Sequence, residues 1–104
     1  MNNVDFESLG NGRFFVSGDL SFDTAEAALE EGERLFEPFQ ELDLDFTHVA
    51  NSDSAGLAVL IEWIARARRD GKEIYFSRLP RQLLALAQIS EVENLLPLTK
   101  PEGP

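Results

Sequence analysis

Few side chains in this sequence have the types and spacing that catalysis or metal binding requires. The chain has one histidine, His48, and no cysteine, which excludes thiolate chemistry and leaves a zinc site without its usual ligands. Asp43 and Asp45 stand two residues apart and share one strand face, where paired carboxylates could bind magnesium or share a proton. A polar sheet face explains these two residues more simply. We therefore predict no catalytic residue, no cofactor and no metal ligand.

The segment that carries most functional information is a polar loop, Asn51-Ser52-Asp53-Ser54-Ala55-Gly56, which leads into an apolar helix. Its small polar residues can cap the free N–H groups at the start of that helix. Ala55 and Gly56 have almost no side chain, so the backbone of another protein could approach closely. From the residues alone, a structural cap and a partner contact both remain open.

Alternating strand and helix patterns position this loop. Apolar alternation predicts a hairpin of two short strands around the turn Gly10-Asn11-Gly12. The later predicted elements are a helix from an N-cap at Asp23 to Pro38, a strand 41–46, a helix 54–70, a strand 72–77 and a helix from Pro80 to about Ser90. This order predicts an α/β fold with a mixed, mostly parallel sheet of about four strands, an antiparallel edge strand and helices packed on the sheet.

Length and composition predict a single globular domain. The chain has 104 residues and 43% hydrophobic residues, which suits one core spanning residues 1–97. The proline-rich end, residues 98–104, is predicted to be a flexible tail. The amino terminus has no basic region of the signal-peptide type, and no apolar stretch is long enough to span a bilayer. We therefore expect a cytoplasmic location.

The charge of the chain bears on its partners. The formal net charge is -10, so its field repels phosphate, and we predict neither nucleic-acid binding nor insertion into a membrane. The charge is uneven, with 13 acidic and 2 basic residues in 1–53 against 6 acidic and 7 basic in 54–104. A partner could be oriented by this difference, although an acidic surface also serves solubility.

A strand of the form L-D-L-D-F followed by V-A-N-S-D-S-A-G-L-A-V-L resembles the signature of the STAS domain, the fold of the anti-sigma-factor antagonists. The resemblance runs from about residue 4 to residue 97 and implies the STAS fold. In the antagonists a phosphorylated serine stands immediately before the glycine, and that position is Ala55 here. Ser54 keeps a hydroxyl at the neighbouring position.

The short length and the D-S-A-G-L-A motif resemble the MlaB-like STAS subunits of bacterial Mla phospholipid transporters. This resemblance implies a non-catalytic subunit that binds and regulates an MlaF-type ABC ATPase, and through it meets the permease MlaE and the substrate-binding protein MlaD. It also implies a peripheral location at the inner membrane, reached through the ATPase. In that family the hydroxyl residue matched by Ser54 lies at the ATPase contact.

Helical spacing extends the predicted partner-binding site along the helix. If Leu57, Leu60, Ile61 and Ile64 face the sheet, Trp63 points outward as an exposed apolar residue. The predicted partner-binding residues are Asn51, Ser52, Asp53, Ser54, Ala55, Gly56, Ala58, Val59, Glu62, Trp63 and Arg66.

Two other functions remain open at this point. One is a signalling switch of the anti-sigma type, with phosphate on Ser52 or Ser54. The other is a small-molecule or nucleotide binder that uses the helix N-terminus, although no lysine or arginine stands nearby.

Overall fold

Four strands form one sheet, which a computed structural model describes together with its helices over residues 3–98. The strands lie in the order β1 (Val4–Gly10), β2 (Arg13–Leu20), β3 (Glu41–Ser52) and β4 (Glu73–Ser77). β1 and β2 are antiparallel, whereas β2, β3 and β4 are parallel to one another. The predicted mixed sheet with an antiparallel edge hairpin is confirmed.

Three helices connect or follow the parallel strands. They are α1 (Ala25–Phe36), α2 (Ser54–Arg69) and α3 (Arg81–Ile89), and a short 3-10 turn, Glu93–Leu95, comes after them. Beyond this turn, Leu98 forms a β bridge with Phe76 of β4. The rest of the predicted tail lies outside the described residues. Within residues 3–98, no helix combines the length and apolar character needed to cross a bilayer.

The helices pack on one face of the sheet. Alternate residues of β2, β3 and β4 point to that face and are buried there, because side chains of a strand alternate between its two sides. The buried sheet residues are Phe14, Val16, Leu20, Leu42, Leu44, Phe46, Ile74 and Phe76. We call the other side the open sheet face. It carries exposed or half-buried side chains such as Glu7, Phe15, Asp43, Asp45 and Tyr75.

Several predicted boundaries are corrected by the structure. β3 continues to Ser52 rather than ending at Phe46, because β2 also runs on to Leu20 and keeps pairing with it. The N-cap of α1 is Thr24 and not Asp23. Pro80 precedes the first residue of α3 instead of occupying it.

Candidate partner-binding site

Asp53 organises the junction between β3 and α2. Its Oδ1 accepts hydrogen bonds from the backbone N–H groups of Ala55 (2.9 Å) and Gly56 (3.2 Å). Its backbone carbonyl accepts a further bond from Leu57 N–H at 3.2 Å. This is the capping predicted from the sequence, and it occupies two of the N–H groups that a helix N-terminus would otherwise offer to an anion.

The second carboxylate oxygen of Asp53 holds the β2–α1 loop, residues 21–24. Asp53 Oδ2 accepts a hydrogen bond from Phe22 N–H at 3.1 Å, across 31 residues of sequence. Within the loop, Thr24 Oγ1 accepts from Ser21 N–H at 3.0 Å and donates to the carbonyl of Asp19 at 2.8 Å. One carboxylate therefore links the start of α2 to a loop that is also braced from within.

Gly56 is required by the close approach of α2 to β2. A Cβ built on Gly56 would overlap the carbonyl oxygen of Leu20, the last residue of β2. That atom is backbone and cannot move aside as the end of a flexible side chain could. The glycine of the D-S-A-G motif thus has a packing role in this fold, and its own surface is buried.

The residues predicted around the loop divide into an exposed and a buried group. Ser54 and Ala58 are exposed, and Ala55 is half-buried beside them. We call these three residues the α2 shoulder. Asn51 is also exposed, and its Nδ2 donates to Asp19 Oδ1 at 3.0 Å. Ser52 is only 5% exposed and points toward α3.

The predicted outward position of Trp63 is wrong. Trp63 is 2% exposed and packs edge-on against Phe6 and Phe36, with ring centroids 5.9 and 5.5 Å away. Gly32 of α1 leaves the space that the indole fills, because a Cβ there would lie 2.7 Å from Trp63 Nε1. Val59 is also 2% exposed, so its predicted exposure is wrong as well.

The burial of α2 on several sides explains why Trp63 and Val59 are buried and not exposed. α2 lies on the sheet and contacts both α1 and α3. A helix flanked in this way buries a wider arc than the stripe of roughly 100° expected for a surface helix. The fully exposed residues of α2 are few: Ser54, Ala58, Ala65, Arg68 and Arg69. Ile61, predicted to face the sheet, is half-buried between this exposed strip and the core.

Glu62 and Arg66 lie on the α1 side of α2 and form an ion pair with each other. Arg66 Nε lies 2.9 Å from Glu62 Oε2, and Arg66 Nη1 lies 3.8 Å from Glu33 Oε2. Arg66 lines a cleft of about 140 Å³ together with Lys72. Lys72 Nζ donates to three carbonyls at the end of α1, those of Phe36, Glu37 and Phe39. The third cation of the lining, Arg69, lies 3.4 Å from Asp70 Oδ1. All three cations have partners, so the cleft has the chemistry of helix packing and not of an anion receptor.

The other residues considered for chemistry lie on the open sheet face. Asp45 forms an ion pair with Arg78 at 3.1 Å and accepts hydrogen bonds from Thr47. His48 is exposed, with its ring 4.8 Å from that of Phe15. These side chains lie apart from the junction of β3 and α2 around Asp53, which we call the Asp53 junction. The predicted loop residues lie at that junction.

Sequence reasoning missed Phe22. This side chain is 82% exposed, and its backbone is tied to the Asp53 carboxylate. The signal that could have revealed it is an aromatic residue inside an otherwise polar connection, Ser21-Phe22-Asp23-Thr24. A large apolar residue that gains nothing from burial in its own chain often contacts a partner.

Comparison with known families identifies the class of protein. The family model described as "Mlab, STAS domain" matches residues 8–97. This match covers most of the sequence, and the chain belongs to the STAS domain family. A comparison with proteins of curated function finds no match.

Solved structures share the fold at low sequence identity. The unphosphorylated anti-sigma-factor antagonist SpoIIAA has a TM-score of 0.69 and 10% identity, covering 93% of this chain and 88% of that one. The phosphorylated form of SpoIIAA, a Bacillus cell fate determinant, has a TM-score of 0.66 and 10% identity, with 93% and 91% coverage. An anti-sigma factor antagonist from Mycobacterium paratuberculosis has a TM-score of 0.66 and 18% identity, covering 94% of this chain and 85% of that one.

Proposed function

We propose that this chain is a non-catalytic STAS subunit that binds and regulates the MlaF-type ATPase of an Mla phospholipid transporter. The observation that carries the proposal is the α2 shoulder, a small and uncharged surface at the start of a helix that the Asp53 carboxylate caps. The family model supports it, because the description of that model names Mlab as well as the STAS domain.

The shoulder suits a protein partner better than a small ligand. Ser54 and Ala58 are exposed and short, so the backbone of a partner can approach the helix closely. Two of the first backbone N–H groups of α2, those of Ala55 and Gly56, donate to the Asp53 carboxylate, which a phosphate would have to displace. This argues against the nucleotide-binding alternative, which depended on an open helix N-terminus.

The proposal places the chain at the cytoplasmic side of the inner membrane, held there by the ATPase. It would meet the permease MlaE and the substrate-binding protein MlaD only through the assembled transporter. Its role would be to stabilise and regulate the ATPase, in support of lipid asymmetry of the outer membrane.

An anti-sigma-factor antagonist is the second candidate, favoured by the fold of the similar solved structures. The two serines proposed for phosphorylation differ in access, because Ser52 is buried and Ser54 is exposed. Ala55 has no hydroxyl at the position where the antagonists carry the phosphorylated serine. The antagonist function predicts a mass increase of one phosphate, on Ser54, when a cognate kinase is present. Intact-mass spectrometry measures the added phosphate, and its absence from an S54A variant would assign it to Ser54.

Co-purification with the Mla-type ATPase of the same organism tests the main proposal. We expect the wild-type chain to be retained and the S54R variant to lose at least about 10-fold in affinity, because a long charged side chain then stands on the shoulder. S8R is the matched control, since Ser8 is exposed in β1 near the turn at the opposite end of the sheet. Failure of the wild-type chain to bind, or equal binding by S54R and S8R, would contradict the proposal.

A further inference from the structure

Phe22 is an exposed aromatic residue on a loop whose backbone is held by hydrogen bonds. Its side chain is 82% exposed, while its N–H is bonded to Asp53 Oδ2 and Thr24 braces the same loop. An exposed apolar ring on a flexible loop would lose conformational freedom on binding, but this loop is already held in place. Aromatic residues are frequent among the residues that contribute most to protein interfaces.

The surface next to Phe22 is acidic. Residues 17–24 and 51–58, which meet at the Asp53 junction, include Asp19, Asp23 and Asp53 and contain no lysine or arginine. Asp23, the next residue after Phe22, is exposed, and Asp19 is half-buried. The complementary surface on a partner would therefore have an apolar pocket with lysine or arginine at its rim.

The two sides of the Asp53 junction, where β3 meets α2, differ in charge. The strand order places the β2–α1 loop and the connection from β4 to α3 on opposite sides of the Asp53 junction. The β4–α3 side carries Arg81 and also Arg78, whose charge is already paired with Asp45 at 3.1 Å. A partner that covers the α2 shoulder would thus meet negative charge at one side and positive charge at the other, which fixes its orientation.

We infer that Phe22 is the apolar anchor of the partner contact, and that it inserts into a pocket rimmed by basic residues on the ATPase subunit. This inference rests on the proposed function and extends its site from α2 to the β2–α1 loop. Phe22 and the α2 shoulder then form one continuous surface, joined through the Asp53 carboxylate.

Titration of the purified ATPase subunit with the F22A variant tests the inference. We expect binding to weaken roughly 10- to 100-fold, the effect of losing one buried phenylalanine at an interface. The melting temperature should not change, because the ring is largely exposed in the free chain. I89A is the matched control: Ile89 is 80% exposed at the far end of α3, and its removal should leave affinity unchanged.

Salt dependence tests the proposed basic residues around the pocket of the ATPase. Affinity of the wild-type chain should fall as ionic strength rises, and D23K should weaken binding and reduce that salt dependence. Equal binding by F22A and wild type would overturn the inference while leaving the proposed function intact. If wild-type binding does not depend on salt, the proposal of basic residues around the pocket of the ATPase is wrong. Failure of the wild-type chain to bind the ATPase would overturn both the proposed function and this inference.

Discussion

Replacing Trp63 with alanine should destabilise the protein rather than remove a partner contact. The indole is 2% exposed and lies against Phe6 and Phe36, so W63A leaves a cavity inside the aromatic cluster between α1 and the sheet. Truncations of this kind cost about 3–5 kcal/mol. For a domain of this size that is a large part of the total stability, and the melting temperature should fall on the order of 15 °C.

Urea unfolding followed by far-ultraviolet circular dichroism measures this loss, with W63F as the matched variant. Among the described residues Trp63 Nε1 is buried without a hydrogen-bond partner, which itself costs about 1–3 kcal/mol. Phenylalanine removes that donor and keeps an aromatic ring in the cluster, so W63F should lose less than half as much stability as W63A. A W63A variant that unfolds at the wild-type urea concentration would refute the reasoning.

Three further substitutions test the local geometry. G56A should lower the stability by about 1–3 kcal/mol in thermal melts, because its methyl group overlaps the Leu20 carbonyl; an unchanged melting temperature would contradict the close approach. K72M should cost about 2–3 kcal/mol in urea, since Lys72 Nζ donates to three carbonyls that close α1; equal stability of K72M and wild type would mean that these bonds contribute little. D53A should cost about 1–2 kcal/mol and speed hydrogen exchange of the Phe22 amide, and unaltered exchange there would disprove the link between α2 and the loop.

The sequence allowed the order of elements to be predicted because their patterns are local. Alternation marked Leu42, Leu44 and Phe46 as the buried side of β3, and the structure buries all three. The capping of α2 by its polar loop was also predictable, since a cap depends on neighbouring residues. β3 was predicted too short because its second half does not alternate, and only pairing with β2 extends it to Ser52.

The position of Trp63 could not be predicted from the spacing of α2 alone. Helical periodicity gives the angle between side chains but not the number of neighbours that cover the helix. The gap that accepts the indole is made by Gly32, on another helix 31 positions earlier, and nothing in α2 signals it. Phe22 was missed for a related reason, because its exposure depends on how Asp53 holds a distant loop.

Amide hydrogen exchange of the chain, with and without the Mla-type ATPase, tests the central claim most directly. If the partner covers the α2 shoulder and the β2–α1 loop, exchange should slow in residues 21–24 and 54–61 when the ATPase is added. The strands should exchange as they do in the free chain. Slowing confined to β1 and the first half of β2, or no slowing anywhere, would contradict docking at the Asp53 junction.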